Sequence, residues 1–184
     1  DIAANSSGVA TNVTNIATNT STLSTLNNTT LANFSSGARV LDTTRNVSIG
    51  SESLDSLTSG KYNVAVGSSS MTDNVSGNSN SALGYRTLYS NTTGSGNSAQ
   101  GAYALLYNTT GNYNIAIGNS ALRNNIEGDQ NTAIGVLSMK KTVGSYNTAV
   151  GYASLENNAD GSNNIAVGRQ AGRRSTGSGN TFLG

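Results

Sequence analysis

The 184-residue chain holds nine carboxylates and ten cations, and has no His and no Cys. Without an imidazole or a thiol, a Ser–His triad, a Cys nucleophile and a His/Cys metal centre are all unavailable. Paired carboxylates are the remaining route to hydrolytic chemistry. Glu127 and Asp160 fall in one phase of the repeat described below, two units apart, with Asp129 close by. At ~4.8 Å per stacked strand that separates them by ~10 Å, at the edge of the span used by inverting glycosidases. Both acids flank turn glycines (Gly128 and Gly161), where solvated carboxylates are ordinary. A calcium-binding nonapeptide array needs an Asp in every repeat, which this chain lacks. No catalytic residue, metal or cofactor is expected.

Two other sets of side chains could recognise a ligand. Tyr85, Tyr89, Tyr103 and Tyr107 occupy nearby phases of two adjacent repeats, and flat amphipathic rings suit stacking on sugars. A second set forms a basic stripe: Arg123, Lys140, Lys141, Arg173 and Arg174, interrupted by Glu156 and preceded by Asp55 and Asp73. Such a stripe could meet an anionic polysaccharide, or could be a solvated turn that discourages lateral aggregation. Net charge is only +1, so neither a nucleic acid nor an anionic membrane is expected as partner. No apolar run approaches the ~20 residues of a membrane span.

What positions these residues is a repeat. A glycine recurs at Gly50, Gly67, Gly84, Gly101, Gly118, Gly135, Gly151, Gly168 and Gly184, in steps of 17 or 16 residues. Four residues before each stands an asparagine: Asn46, Asn63, Asn80, Asn97, Asn114, Asn131, Asn147, Asn164 and Asn180. Two residues before, the side chain is small in every copy except Phe182; one before, it is aliphatic except at Gln100. Four residues after comes Leu or Met, until Gly172 breaks the series. From the second copy a further glycine precedes the reference by seven, and the 16-residue units lose their residue ahead of it.

The short alternating blocks bounded by Gly read as strands of about five residues, two per unit. Such a unit is one coil of a β-solenoid. Charged residues are 10% and apolar residues 35% of the chain, against roughly 25% and 45–50% in globular domains. A narrow coil packed by Ala and one Leu or Met needs no more. Asn at the same place on every coil predicts a side-chain amide ladder. The aliphatic residue beside each Ala points the other way, which predicts an apolar stripe outside the coil. Burying that stripe most simply requires self-association around an axis parallel to the solenoid.

Residues 1–32 lack the repeat. Ile2, Val9, Val13, Ile16 and Leu23 fall on a 3–4 spacing, with Ser6, Thr20 and Asn27 in the gaps. This predicts a coiled-coil stalk, and β-branched residues at both seam positions favour three or more strands. Residues 33–45 are the expected connector, and 46–184 the solenoid, extending ~40 Å over eight steps.

The block NxA[I/V]G followed by xxxL resembles the head repeats of YadA-like trimeric adhesins, and more closely the GxxNTAVGYxAL arrays of phage and viral tail fibres. The resemblance covers residues 46–184. It implies a homotrimeric, left-handed parallel β-roll, here after a short parallel trimeric coiled coil, in an extracellular fibre that attaches to a host cell surface. Its implied partners are a surface glycan or protein and further fibre or baseplate components. The 16–17-residue unit is longer than that of typical adhesin heads, which favours the virion fibre over a bacterial trimeric autotransporter adhesin. A fibre-borne polysaccharide depolymerase is a third, less favoured class. The last motif stops without a polar cap, so the protein is expected to continue beyond Gly184.

Overall fold

The computed structural model describes residues 5, 9, 11–22, 38–41 and 45–184. The chain divides into two units, Asp1–Ser36 and Gly37–Gly184. In the first, residues 5, 9 and 11–22 are helical, and the continuous run 11–22 is α1. Thr and Asn are poor helix formers. Three threonines of α1 turn their hydroxyls back on the preceding turn: Thr18 to Thr14 O at 3.0 Å, Thr20 to Ile16 O at 2.8 Å, Thr22 to Thr18 O at 2.9 Å. Val9, Val13 and Ile16 share one helical face and are exposed. The other seam residues, Ile2 and Leu23, lie outside the described residues, as do Ser6 and Asn27.

The second unit is a β-solenoid. Its strands are β1 (Ala38–Leu41), β2 (Asn46–Ile49), β3 (Val64–Val66), β4 (Ser81–Leu83), β5 (Ser98–Gln100), β6 (Ile115–Ile117), β7 (Thr132–Ile134), β8 (Thr148–Val150), β9 (Ile165–Val167) and β10 (Thr181–Leu183). They form one sheet in chain order. β2 through β10 are parallel and in strict register, Ala on Ala from β3 to β9. β1 lies within the expected connector and pairs antiparallel with β2, so the parallel stack starts from a hairpin-like edge. Residues 33–37 and 42–44 of that connector lie outside the described residues.

Each coil holds one strand, of four residues in β2 and three in β3 to β10, not the two longer strands that the alternation suggested. The reason is backbone handedness. In the coil around Gly118, Tyr113, Ser120 and Leu122 have φ of 57°, 57° and 49°. A left-handed non-glycine residue costs roughly 1–2 kcal/mol and interrupts any strand. Every one of these N–H groups bonds to a neighbouring coil: Tyr113 to Ser95 O at 2.9 Å, Ser120 to Ala102 O at 2.9 Å, Leu122 to Ser138 O at 3.0 Å. The corners are therefore stacked as regularly as the strands, and inter-coil hydrogen bonds hold the strained conformation.

Within each strand the central residue points in and its neighbours out. Ala65, Ala82, Ala99, Ala116, Ala133, Ala149 and Ala166 line one inner wall; Leu54, Met71, Leu88, Leu105, Leu122, Met139 and Leu155 fill the space opposite. From Met71 to Leu155 those large side chains are fully buried. In the last coil the pair is inverted. Gly172 replaces the Leu and Phe182 the Ala, and the ring lies where a Cβ on Gly172 would sit 2.5 Å from Cδ2. Core volume is kept by exchanging large and small across the coil.

Candidate functional site

The reference asparagines bind backbone more than each other. Asn114, fully buried, accepts the Asn131 N–H on Oδ1 at 2.9 Å and donates from Nδ2 to Gly128 O at 2.8 Å. Asn46, Asn63, Asn80, Asn97, Asn131 and Asn147 repeat the pattern, each accepting the next asparagine's N–H and donating to the turn glycine carbonyl. Asn164 and Asn180 close the series, Asn180 N–H donating to Asn164 Oδ1 at 2.9 Å. From Asn46 to Asn147 the column is scaffold: the side-chain oxygen and nitrogen of each asparagine are both used inside the stack.

Two further ladders escape the sequence pattern. Asn74, Asn91, Asn108 and Asn125, seven residues after the reference glycine, are buried and joined amide to amide at 2.8–2.9 Å. Each occurs in a 17-residue coil, where its amide spans the turn to the glycine three residues on. The 16-residue coils carry Thr142 and Ser175 there instead. The next coil thus offers no amide to Asn125 Oδ1, which is buried without a partner, while the Thr142 hydroxyl donates to Leu155 O. The other ladder runs through Asn78, Ser95, Asn112, Asp129, Ser145, Ser162 and Ser178, whose side-chain oxygens accept the preceding coil's N–H. Asp129 is thereby a structural acceptor. Residues differ in type along these columns, so a search for identical letters misses them.

The outer face of the sheet is apolar. Ile49, Val64, Leu83, Ile115, Ile117, Ile134, Ile165, Val167 and Leu183 are all exposed there, in two columns flanking the inward Ala. Polar residues interrupt both columns: Gln100 in the one next to the glycine, and Ser81, Ser98, Thr132, Thr148 and Thr181 in the other.

The four tyrosines come together. Tyr85 and Tyr103, on successive coils, meet edge to face with centroids 5.4 Å apart. Arg86 lies 5.5 Å from the Tyr85 centroid and 5.4 Å from that of Tyr89. Arg123 reaches back one coil, 5.8 Å from Tyr103 and 5.5 Å from Tyr107. The residues of the basic stripe have different partners. Arg123 joins the tyrosines, whereas Arg173 Nε donates to Glu156 Oε2 at 2.7 Å, the sole ion pair among the described residues. Lys140, Lys141 and Arg174 enter no ion pair among the described residues. Glu127 and Asp160 are exposed on turns, and no group of three or more His, Cys, Asp or Glu suited to a metal occurs among the described residues.

Comparison of the chain with family models, curated proteins and solved structures finds no match. Function must therefore be argued from three features: the stacked scaffold, the apolar outer columns, and the Tyr–Arg cluster. No described helix is long and apolar enough to cross a membrane.

Proposed function

We propose that the chain is a structural segment of a homotrimeric tail fibre, carried on a virion and used in attachment to a host cell surface. The observation that carries this reading is the outward column one residue before the reference glycine, aliphatic in every coil except at Gln100, beside a second column in which Val47, Val64, Ile115 and Ile165 alternate with Ser and Thr. Ile115, Ile117, Ile134, Ile165 and Val167 are between 38% and 48% exposed in a chain whose core residues are at 0–5%. A contiguous apolar stripe of this kind marks an interaction surface. Because it repeats coil by coil, the partner must repeat at the same spacing, which a second and third copy of the same solenoid do.

The helical unit supports the same assembly. Val13 and Ile16 are 60% and 65% exposed, and a helix of about a dozen residues rich in Thr is marginal alone. A parallel three-stranded coiled coil buries that seam, since β-branched residues at both seam positions favour more than two strands. The left-handed parallel β-roll and the trimer follow from the resemblance stated above, and the 16–17-residue coil favours the fibre over the autotransporter head.

Light scattering of the 184-residue chain tests the assembly. A mass of three chains is expected, and Ile117→Lys with Ile134→Lys should shift it to one chain while the β signal in circular dichroism persists. A wild-type monomer overturns the reading.

A further inference from the structure

We propose that the two Tyr–Arg–Tyr clusters, built from three successive coils, are a binding site for saccharides that bear a carboxylate. This inference rests on the attachment reading and names the chemistry that such attachment would recognise.

Six residues make the site: Tyr85, Arg86, Tyr89, Tyr103, Tyr107 and Arg123. Each guanidinium lies within 5.4–5.8 Å of two ring centroids, and the Tyr85–Tyr103 contact locks one cluster to the next. The other cation–π contacts, Arg45 with Tyr62 and Arg169 with Tyr152, involve one ring each. A guanidinium flanked by two rings has lost part of its side-chain freedom before a ligand arrives.

Neither Arg86 nor Arg123 has an acidic partner among the described residues. The contrast within one column is direct: Arg173 occupies the same phase as Arg123, but the coil before Arg173 carries Glu156 in that phase, and Arg173 is neutralised by that acid. Arg123 Nε is moreover buried with no hydrogen-bond partner. A carboxylate satisfies a guanidinium edge with two parallel N–H bonds.

The surroundings select a sugar. Tyr85 and Tyr107 remain exposed beside the two cations, offering ring surface to sugar C–H faces and hydroxyls to sugar hydroxyls. Arg86 and Arg123 stand two coils apart and Lys140 and Lys141 lie one coil further on, but acids are interspersed with them: Asp55 and Asp73 on earlier coils, and Glu127 and Asp129 on the coil of Arg123. A phosphate backbone needs a longer cationic track. In a trimer the site is present three times, so weak single-site affinity is amplified by avidity.

The test is binding of the 184-residue chain to three probes: oligogalacturonate, sialyllactose and neutral lactose. At least a tenfold preference for one of the two acidic probes over lactose is expected, and the winning probe distinguishes a uronate from a sialate ligand. Arg86→Gln with Arg123→Gln should reduce that preference tenfold or more at an unchanged melting temperature, whereas Lys140→Gln with Lys141→Gln should leave it intact. Equal binding of acidic and neutral probes, absence of binding to both acidic probes, or a preference that survives Arg86→Gln with Arg123→Gln overturns the site. Adsorption to a panel of bacterial strains separates the two readings. Adsorption that persists in the arginine variant overturns the saccharide site alone, and a wild-type chain that adsorbs to no strain overturns attachment itself.

Discussion

Asn114→Ala isolates what the asparagine column contributes. The side chain is fully buried and serves two backbone groups, the Asn131 N–H at 2.9 Å and the Gly128 carbonyl at 2.8 Å. Its third contact, to Asn97 Oδ1 at 3.2 Å, is dispensable because the Asn114 backbone N–H still donates to that oxygen at 2.9 Å. Alanine therefore orphans one donor and one acceptor inside the stack. At about 1–3 kcal/mol for each, the loss is about 2–6 kcal/mol, or a fall in melting temperature of roughly 4–24 °C. Urea unfolding followed by circular dichroism measures it, at one chain concentration because assembly contributes to apparent stability. Asn114→Asp sharpens the test. The carboxylate keeps the acceptor but cannot donate to Gly128, and burial raises its folded pKa above the unfolded value of about 3.9. The folded state then binds more protons than the unfolded one, so stability is highest below that pH and declines as pH rises through it. Asn114→Asp should approach wild type at pH 3.5 and fall well below it at pH 7. A loss under about 1 kcal/mol for Asn114→Ala, or a pH-independent Asn114→Asp, would refute the ladder argument.

Gly118 has φ of +130°, and a Cβ there would lie 2.6 Å from both C and O of Gly135. Because that contact is with backbone of the next coil, Gly118→Ala should cost about 2–6 kcal/mol in the same unfolding assay. Gly172→Leu restores the letter used by the other coils and should nevertheless destabilise by about 1–3 kcal/mol, since its Cβ meets the Phe182 ring at 2.5 Å. Adding Phe182→Ala should recover stability, with a coupling of about 0.5–3 kcal/mol in a double-mutant cycle; strictly additive losses would contradict the exchanged pair.

Much of this architecture was written in single letters. The phase of Asn, Ala, Gly and Leu specifies stacked coils because a stack places each residue against its own equivalent one coil away, so identical demands select identical residues. That is why the inward Ala wall, the opposing Leu and Met column and the outward aliphatic stripe all follow from spacing. Chemical equivalence without identity was harder to read. Ser95, Asn112 and Asp129 perform one task, accepting an N–H, and only the coordinates show them in line. The alternation suggested longer strands because it reports where side chains point and says nothing of φ. Left-handed backbone at Tyr113, Ser120 and Leu122 confines β6 to three residues.

For the cluster, proximity of the four tyrosines was legible from phase, but its electrostatics was not. Arg123 belonged by sequence to a stripe with Lys140 and Arg173, yet it reaches back one coil to sit between Tyr103 and Tyr107, while Arg173 spends its charge on Glu156. Long flexible side chains choose among neighbours on three coils, and that choice depends on which rings and acids stand within reach. Backbone periodicity is a local property and so was determined by the sequence alone. Which guanidinium remains unpaired is decided between coils, and only the tertiary structure holds that information.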